Sequence, residues 1–199
     1  MPRLASAEDV PVAAEALGRA FVEDPLLTAI VGRPRDLARR LGRYFTLECR
    51  SALAAGGEVW LDDDGQGAAI WRRPDGWLDP LSTQLRSLPA YIAIFPRSFL
   101  RASKALNATA RVHPKTPPHW YLVAVGIVPE EVGRGRGSAL LRPMLQHCDE
   151  ERTPAYLEAS TEANARLYSR LGFEAKEEID VLPGVRSRPM WREPRQPSG

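Results

Sequence analysis

The segment from Tyr121 to Cys148, YLVAVGIVPEEVGRGRGSALLRPMLQHC, constrains the fold of this chain more than any other. A run rich in β-branched and aromatic residues stops at Pro129, after which three glycines alternate with two arginines. A pattern of Leu and Met at helical spacing then begins. This order predicts a strand at about 119–128, a tightly turning loop, and a helix at about 137–150.

Strand and helix signals alternate through the rest of the second half. PAYLEAS predicts a strand and EANARLYSRL predicts a helix. GFEAKEEID and RPMWRE predict a closing pair of strands. The resulting β–α–β–α–β order places helices on the faces of a shared sheet, as in α/β and α+β domains.

The first half predicts helices and one hairpin. RLASAEDVPVAAEALGRAFVEDP indicates a short strand and then a helix, with Ser6 and Asp9 spaced as in a capping box. PRDLARRLGRYFTLECRSALAAGG indicates a second helix that ends at its glycine pair, and EVWLDDDGQGAAIWRR indicates a hairpin that turns at its DG pair. PLSTQLRSLPAYIAIFPRSFLRASKAL indicates helix interrupted at Pro89 and Pro96.

Composition narrows the class of protein. The 199 residues suffice for one domain, and the net charge of +2 argues against nucleic-acid binding through bulk electrostatics. The N-terminal stretch lacks the apolar core of a signal peptide, and no apolar run approaches the roughly 20 residues of a membrane span. That lack of a span predicts a protein that binds no membrane. The two cysteines have no zinc-site spacing, which predicts a reduced, cytoplasmic protein that holds no metal. The strong preference for arginine over lysine is typical of a GC-rich bacterial genome.

The glycine-rich loop predicts an anion site. A helix N-terminus leaves about four backbone N–H groups without partners, and glycines let successive N–H groups point into one concavity. The loop has no GKS or GKT and is spaced GxGxG, so it is neither a nucleotide P-loop nor a dinucleotide fingerprint. The alternative is a flexible loop before an ordinary helix.

The wider pattern resembles a known family. WYLVAVGIVPE, VGRGRGSALL, YLEAS and NARLYSRLGF, in this order, resemble the GNAT superfamily of acetyl-CoA-dependent N-acetyltransferases, and most closely its puromycin N-acetyltransferase-like branch. The specific likeness covers 119–173. It implies a central mixed, mostly antiparallel, twisted sheet flanked by helices, with a splay between the fourth and fifth strands. It also implies one acetyltransferase domain over 1–194, with acceptor-side elements at about 1–115, an acetyl-CoA core at about 119–180, and a flexible tail at 195–199.

The resemblance implies contacts to acetyl-CoA from the splayed strand, the loop and the following helix. Main-chain groups of Ile127 and Val128 would bind the pantetheine arm, and Asn164 would contact it. The loop would hold the pyrophosphate. The full set of expected cofactor residues is Val125, Ile127, Val128, Gly133, Arg134, Gly135, Arg136, Gly137, Ser138, Asn164, Leu167 and Tyr168.

The implied reaction is direct attack of an amine on the thioester in a ternary complex. Tyr168 is the expected acid for the departing thiolate, and Glu158, at a strand end, is the candidate base, directly or through a water. A packing aromatic and a glutamate paired with an arginine are the alternative roles. His113 and His119 are weaker candidates for a proton relay. Cys148 is expected in the core rather than as a nucleophile.

The acceptor is expected to be a small-molecule amine, and the protein a monomer or homodimer. Acetylation of a protein N-terminus or lysine is one alternative, and a non-catalytic module that binds or senses CoA is another. Two departures from the family pattern bear on the site. Val132 stands where the family has Gln or Arg at the head of the loop, and Arg188 stands where the closing strand of this branch has Trp.

Overall fold

The computed structural model describes residues 1–74 and 76–195. Within them, eight strands form one sheet in the order β1-β2-β3-β4-β5-β8-β6, with β7 paired to β8. The strands are β1 (Arg3–Leu4), β2 (Glu58–Leu61), β3 (Gly67–Arg72), β4 (Trp120–Ile127), β5 (Ala155–Ala159), β6 (Glu174–Ala175), β7 (Ile179–Leu182) and β8 (Val185–Arg192). The helices are α1 (Val10–Ala20), α2 (Pro25–Val31), α3 (Leu37–Ala54), α4 (Leu81–Ile94), α5 (Phe99–Val112), α6 (Arg136–Glu150) and α7 (Glu162–Arg170).

The sheet is antiparallel except where β4 meets β5. These two strands run parallel and pair only at Trp120 with Ala155 and at Tyr121 with Tyr156. Beyond that point β4 continues to Ile127 along β3, whereas β5 continues to Ala159 along β8. The mixed, mostly antiparallel sheet and the divergence of its fourth and fifth strands confirm the fold expected from the sequence.

Two apolar clusters cover the faces of the sheet. One contains the inward side of α6, including Leu141, Met144 and Cys148, together with residues of β4 and β5. The other lies between α1, α3 and the first strands. The backbones of α1 and α3 approach closely, since a Cβ on Gly18 would lie 2.6 Å from the backbone nitrogen of Gly42. Any larger residue at Gly18 would force these helices apart.

Several local predictions are confirmed. The Ser6–Asp9 capping box precedes α1, and α3 ends at Ala54, just before the glycine pair. The hairpin turns between β2 and β3, with Gly65 at a φ of 67°. Of the predicted tail, residues 196–199 lie outside the described residues.

One prediction about α4 is wrong. Pro89 does not interrupt the helix, which continues from Leu81 to Ile94. A proline removes one hydrogen bond to the carbonyl four residues earlier, here that of Leu85. Because α4 lies at the surface and the Leu85 residue is 60% exposed, water can satisfy such a carbonyl at small cost. Pro96 does fall between α4 and α5, as expected.

Candidate active site

The open edge of β4 lies where β5 has turned away. The Val128 N–H donates to Gln66 O at 2.9 Å, on the edge of β4 that faces β3. Because N–H groups alternate between the two edges of a strand, those of Val125 and Ile127 point to the opposite edge, toward the gap. Val128 also accepts from the Glu131 N–H at 3.0 Å, so both of its main-chain groups are engaged. The N–H groups of Val125 and Ile127 therefore face the open edge, whereas the Val128 N–H is bonded on the edge that faces β3.

The glycine-rich loop turns directly into α6. Gly133 and Gly135 have φ values of 87° and 77°, and a Cβ on either would meet no atom within 4 Å. The first helical bond runs from the Ala139 N–H to Gly135 O, so the N–H groups just before Ala139 have no intrahelical acceptor. Backbone at positive φ before a helix N-terminus forms the concavity that binds oxyanions.

The two arginines of the loop are already paired. Arg134 donates to both carboxylate oxygens of Glu131, at 3.0 and 2.9 Å. Arg136 contacts Glu131, Asp62 and Asp64, the last at 3.0 Å. Three carboxylates around one guanidinium cancel its charge locally, so the loop presents backbone N–H groups rather than a cationic patch. Val132, at the head of the loop, is 66% exposed.

A cavity of about 600 Å³ lies beside the open edge of β4. It is bounded by α2, α3, α4 and α5 of the first half, and by β4, β5 and α7. Of the residues expected at the site from the sequence, the cavity brings together Val125, Glu158, Asn164 and Tyr168. The residues of the glycine-rich loop do not line it.

Glu158 lies two residues beyond the last β4–β5 pair. Its side chain is 8% exposed, and its Oε2 accepts a hydrogen bond of 2.8 Å from the Tyr121 hydroxyl. Its Oε1 is buried and has no hydrogen-bond partner among the described residues. A buried carboxylate oxygen without a donor is costly, and such oxygens are common where a ligand or substrate supplies the donor.

Two buried histidines stand behind Glu158. His113 Nδ1 lies 3.8 Å from Glu158 Oε1, and His113 Nε2 lies 3.1 Å from His119 Nε2. His119 Nδ1 lies 2.8 Å from Pro117 O. Trp77 stacks on the His113 ring, with ring centroids 3.9 Å apart and an interplanar angle of 16°. The candidate relay residues therefore lie next to Glu158: His113 is within ion-pair distance of its carboxylate and within hydrogen-bond distance of His119.

Tyr168 projects from α7 into the cavity. The residue is 7% exposed, and its hydroxyl makes no hydrogen bond to a described residue. Burial, and then the charge of Asp24, raise its pKa, so the phenol keeps its proton at neutral pH. Asn164 opens the same helix, where its backbone N–H donates to Thr161 Oγ1. Leu167 packs against the core cluster beside Val125 and Ile127.

A buried polar cluster at one wall of the cavity was not identified from the sequence. Arg72 donates to Asp79 at 2.7 Å and to Ser51 at 2.9 Å, and lies 3.4 Å from Glu48. Tyr91 of α4 donates to Glu48 at 2.8 Å. Because these residues come from α3, β3, α4 and the loop before α4, only the folded chain brings them together.

The cysteines are buried structural residues. Cys49 and Cys148 are both free and fully buried, which confirms the expected core position of Cys148. Burial raises the pKa of each thiol to about 12, so neither supplies a thiolate at neutral pH. Within residues 1–74 and 76–195, no three His, Cys, Asp or Glu side chains group as metal ligands. No described helix has the length and apolar character needed to cross a bilayer.

The sequence matches the acetyltransferase (GNAT) family over residues 58–173, more than half of the chain. The matched region includes the open β4 edge, the glycine-rich loop, Glu158 and Tyr168. The chain belongs to the GNAT family of acetyltransferases. Its sheet, with the parallel β4–β5 pair, is the sheet of that family.

Relatives of known name support this assignment. The chain is 29% identical to an N-acetyltransferase of Schizosaccharomyces pombe, over 96% of this chain and 83% of the relative. It superimposes on a structure of histone acetyltransferase HPA2 and related acetyltransferase from Corynebacterium glutamicum with a TM-score of 0.74 and 30% identity, over 100% and 98% of the two chains. The Salmonella typhimurium acetyltransferase yncA, solved with acetyl-CoA, shares the fold with a TM-score of 0.57 and 14% identity, over 100% and 96% of the chains. These relatives come from bacteria and a fungus, so the bacterial origin remains a prediction.

Proposed function

We propose that this GNAT protein transfers the acetyl group of acetyl-CoA to a primary amine of a small molecule, by direct attack in a ternary complex. The observation that carries the proposal is the shared cavity, which the unpaired carboxylate oxygen of Glu158 and the protonated phenol of Tyr168 both line. The Glu158 carboxylate suits the removal of a proton from the amine, and the Tyr168 phenol suits the donation of a proton to the departing thiolate.

The main chain fits the proposed cosubstrate. The N–H groups of Val125 and Ile127 at the open edge of β4 suit a pantetheine arm that pairs like an added strand. The N–H groups between Gly133 and Ser138 suit the pyrophosphate, each contributing about 1.5–3 kcal/mol as a bond to a charged acceptor. When bound, acetyl-CoA supplies the activated acetyl thioester. We interpret residues 1–194 as one acetyltransferase domain. The cosubstrate and the acceptor would then meet between the acceptor-side elements, at about 1–115, and the acetyl-CoA core, at about 119–180.

Glu158 and Tyr168 would divide the proton transfers. A primary amine with a pKa near about 10.4 is protonated at neutral pH, and freeing its lone pair costs roughly 4–5 kcal/mol. Glu158 Oε1, which lacks a donor, would bind the ammonium and accept this first proton. Tyr168 would donate a proton to the sulfur of CoA as it leaves, since its hydroxyl has no competing bond. The second proton leaves the nitrogen as the amide forms and would restore the Tyr168 phenol. The Ile127 N–H would face the thioester oxygen from the β4 edge.

Two alternatives remain distinct outcomes of experiment. The Corynebacterium glutamicum relative is named in part as a histone acetyltransferase, so a protein lysine or N-terminus is the alternative acceptor. A module that binds CoA without turnover is the other alternative.

The puromycin N-acetyltransferase-like branch remains a hypothesis from the sequence motifs. Arg188 departs from the pattern of that branch, which has Trp at this position. The Arg188 guanidinium pairs with Glu162 and Glu178 at 2.8 and 2.7 Å, and the residue does not line the large cavity.

The experiment that tests the proposed function measures CoA thiol release from acetyl-CoA with and without added amines. Wild type is compared with Glu158→Gln, which keeps the size of the side chain but cannot accept the proton. We expect amine-dependent release that falls at least tenfold in Glu158→Gln, with acetyl-CoA affinity unchanged. Release that depends only on a histone-tail peptide would support the protein substrate instead. Binding of acetyl-CoA without release by any amine or peptide would support the non-catalytic module.

A further inference from the structure

We infer that the acceptor is a monoamine carried on an apolar alkyl or arylalkyl body, bound with its amine toward Glu158 and its body against α2, α4 and α5. This inference rests on the proposed function, because it names the acceptor of the same cavity.

The acceptor side of the cavity is a wall of large apolar side chains. They include Leu26, Ile30, Leu81, Leu85, Ile92 and Phe99. Leu81, Leu85 and Phe99 line the cavity although they are 69%, 60% and 48% exposed. Contiguous apolar surface that is left open to water in this way marks a surface that a ligand covers.

The charge of the cavity favours a cation at one end. Its described lining residues carry four carboxylates, on Asp24, Glu48, Asp79 and Glu158, against the single guanidinium of Arg72. The other three carboxylates are hydrogen-bonded: Ser160 and the Leu27 N–H donate to Asp24, Tyr91 donates to Glu48, and Ser51 and Arg72 donate to Asp79. Only Glu158 Oε1 has no donor among the described residues. Among its described carboxylates, the cavity therefore has one buried oxygen that still lacks a donor and could bind a cation. The wall beyond this oxygen is apolar.

This combination discriminates between amines of equal length. A second ammonium at the far end of the ligand would lie against the leucines of α4, where it would lose part of its hydration and gain no hydrogen-bond partner from them, whereas a methyl group there gains from the burial of apolar surface. An added methylene contributes about 0.8 kcal/mol when buried, which corresponds to roughly a fourfold gain in affinity. Catalytic efficiency should therefore rise with chain length for monoamines and fall when a second amine is added.

The test measures kcat/KM for acetylation of propylamine, butylamine, hexylamine and 2-phenylethylamine, with 1,6-diaminohexane matched to hexylamine. We expect kcat/KM to rise about two- to fourfold per methylene up to hexylamine, and to be at least tenfold lower for the diamine. Equal or higher kcat/KM for the diamine, or no dependence on length, would overturn the inference and leave the proposed function intact. No acetylation of any of these amines or of a histone-tail peptide would instead overturn the proposed function, and the inference with it.

Two exposed leucines provide a matched pair of variants. Leu85 of α4 lines the cavity, whereas Leu100 of α5 is 74% exposed and does not line it. We expect Leu85→Gln to raise the KM for hexylamine at least fivefold with little change in kcat, and Leu100→Gln to change neither. Both positions are exposed, so both variants should fold. The same KM in the two variants would overturn the assignment of the apolar body to α4.

A second inference is carried independently by the two buried histidines. A carbonyl oxygen only accepts, so His119 Nδ1, 2.8 Å from Pro117 O, must carry a proton. In neutral His119 the Nε2 is then an acceptor, and His113 Nε2, 3.1 Å away, must donate to it. The remaining nitrogen of neutral His113, Nδ1, carries its lone pair and faces Glu158 Oε1 at 3.8 Å.

We propose that His113 is a positioning residue that acts on the reaction through Glu158, because it accepts the proton that this carboxylate takes from the amine. The proton moves from the amine nitrogen to Glu158, and from Glu158 to His113 Nδ1, which leaves Glu158 ionised and paired with an imidazolium. The groups that face His113 are Glu158 and Tyr156 on β5, His119 and Tyr121 near the start of β4, and Trp77, which stacks on it. Glu158 is the one carboxylate among these described groups, so the imidazolium would lie next to the carboxylate that passed on the proton.

The test compares His113→Gln with His147→Gln, a matched control on the partly exposed surface of α6. Each is assayed with butylamine and with trifluoroethylamine, whose ammonium is far more acidic and which therefore reaches the site as the free amine. We expect His113→Gln to lower kcat for butylamine at least tenfold, with KM within twofold, and to lower kcat for trifluoroethylamine less than threefold. His147→Gln should change neither. An equal loss with both amines would overturn the relay, because loss of structure does not depend on the acidity of the acceptor.

Discussion

The Tyr121 hydroxyl donates to Glu158 Oε2 at 2.8 Å and so joins β4 to β5 just past their last main-chain pair. Tyr121→Phe removes the hydrogen bond that Glu158 Oε2 accepts within the buried site. We expect the free energy of unfolding to fall by about 1.5–3 kcal/mol, the usual contribution of a bond to a charged group. Urea denaturation measures the change.

Tyr156→Phe is the control for that prediction. Its hydroxyl is also buried but has no hydrogen-bond partner among the described residues. Removing a buried, unpaired polar group should leave stability unchanged or raise it. A loss of stability in Tyr156→Phe equal to that in Tyr121→Phe would mean that ring packing, and not the bond to Glu158, explains both.

Asp149 and Arg192 form the best-defined ion pair near the end of β8. Two bonds of 2.7 Å join them, and the Arg192 side chain is 3% exposed. We expect Asp149→Asn to lower the free energy of unfolding by about 3–5 kcal/mol at pH 7, because it leaves a buried guanidinium without its anion. Thermal melts of the variant and of wild type at pH 7 check this, and a difference of less than about 1 kcal/mol would contradict it.

The same pair predicts how stability depends on pH. Burial raises the pKa of Asp149, but the bonds from Arg192 and the Arg195 N–H outweigh it and lower the pKa overall. A carboxyl with a lowered folded-state pKa contributes stability that is complete above its unfolded value of about 3.9 and is lost as the pH falls further. Wild type should therefore lose more stability than Asp149→Asn when melts at pH 5 and pH 3 are compared.

Variants of Gly135 and Gly137 distinguish the contribution of the loop conformation from that of the helix that follows it. Gly135 has positive φ, where a Cβ costs about 1–2 kcal/mol, whereas Gly137 is helical and its Cβ would make only ordinary contacts with Leu167 and Ile127. We expect the free loop of Gly135→Ala to leave the positive-φ conformation, so that restoring it on binding lowers acetyl-CoA affinity about fivefold to thirtyfold, whereas Gly137→Ala should preserve the affinity. Calorimetric titration with acetyl-CoA measures both. Equal affinity in the two variants would mean that the loop conformation does not support the pyrophosphate.

The thiols of Cys49 and Cys148 should react only when the protein unfolds. Both are fully buried, and burial raises the pKa of each to about 12. We expect no labelling by iodoacetamide at pH 8 on the timescale of complete labelling in urea, as read by mass spectrometry. The Cys49→Ala, Cys148→Ala double variant should keep its kcat for amine acetylation. Loss of turnover in a folded double variant would indicate an acyl-enzyme and would contradict direct attack.

Short-range patterns predicted much of the fold. The Ser6–Asp9 capping box and the hairpin turn before Gln66 follow from residues within a few positions of each other, and both are present. The short helix α2 was missed although Asp24, whose Oδ1 accepts from the Leu27 N–H, and Pro25 form an N-cap signal. At seven residues α2 is too short to show helical periodicity.

Long-range contacts could not be read from the sequence. Arg134 and Arg136 were expected among the cofactor-binding residues, but Arg136 is paired with Asp62 and Asp64, more than 70 positions earlier. The array of His113, His119 and Glu158 likewise depends on the end of α5 packing against β4 and β5. Charge balance at a site is set by such distant partners, so spacing within a motif does not predict it.

The most direct test is CoA release from acetyl-CoA with hexylamine, measured for wild type and Tyr168→Phe, with acetyl-CoA affinity measured for both. The variant removes one hydroxyl that makes no bond to a described residue, so folding and cosubstrate binding should be unaffected. We predict that amine-dependent release falls at least tenfold in Tyr168→Phe while acetyl-CoA affinity stays within twofold. Equal release by the two proteins would contradict the role of Tyr168 as the acid, and absence of amine-dependent release from wild type with any amine would contradict acetyl transfer in this cavity.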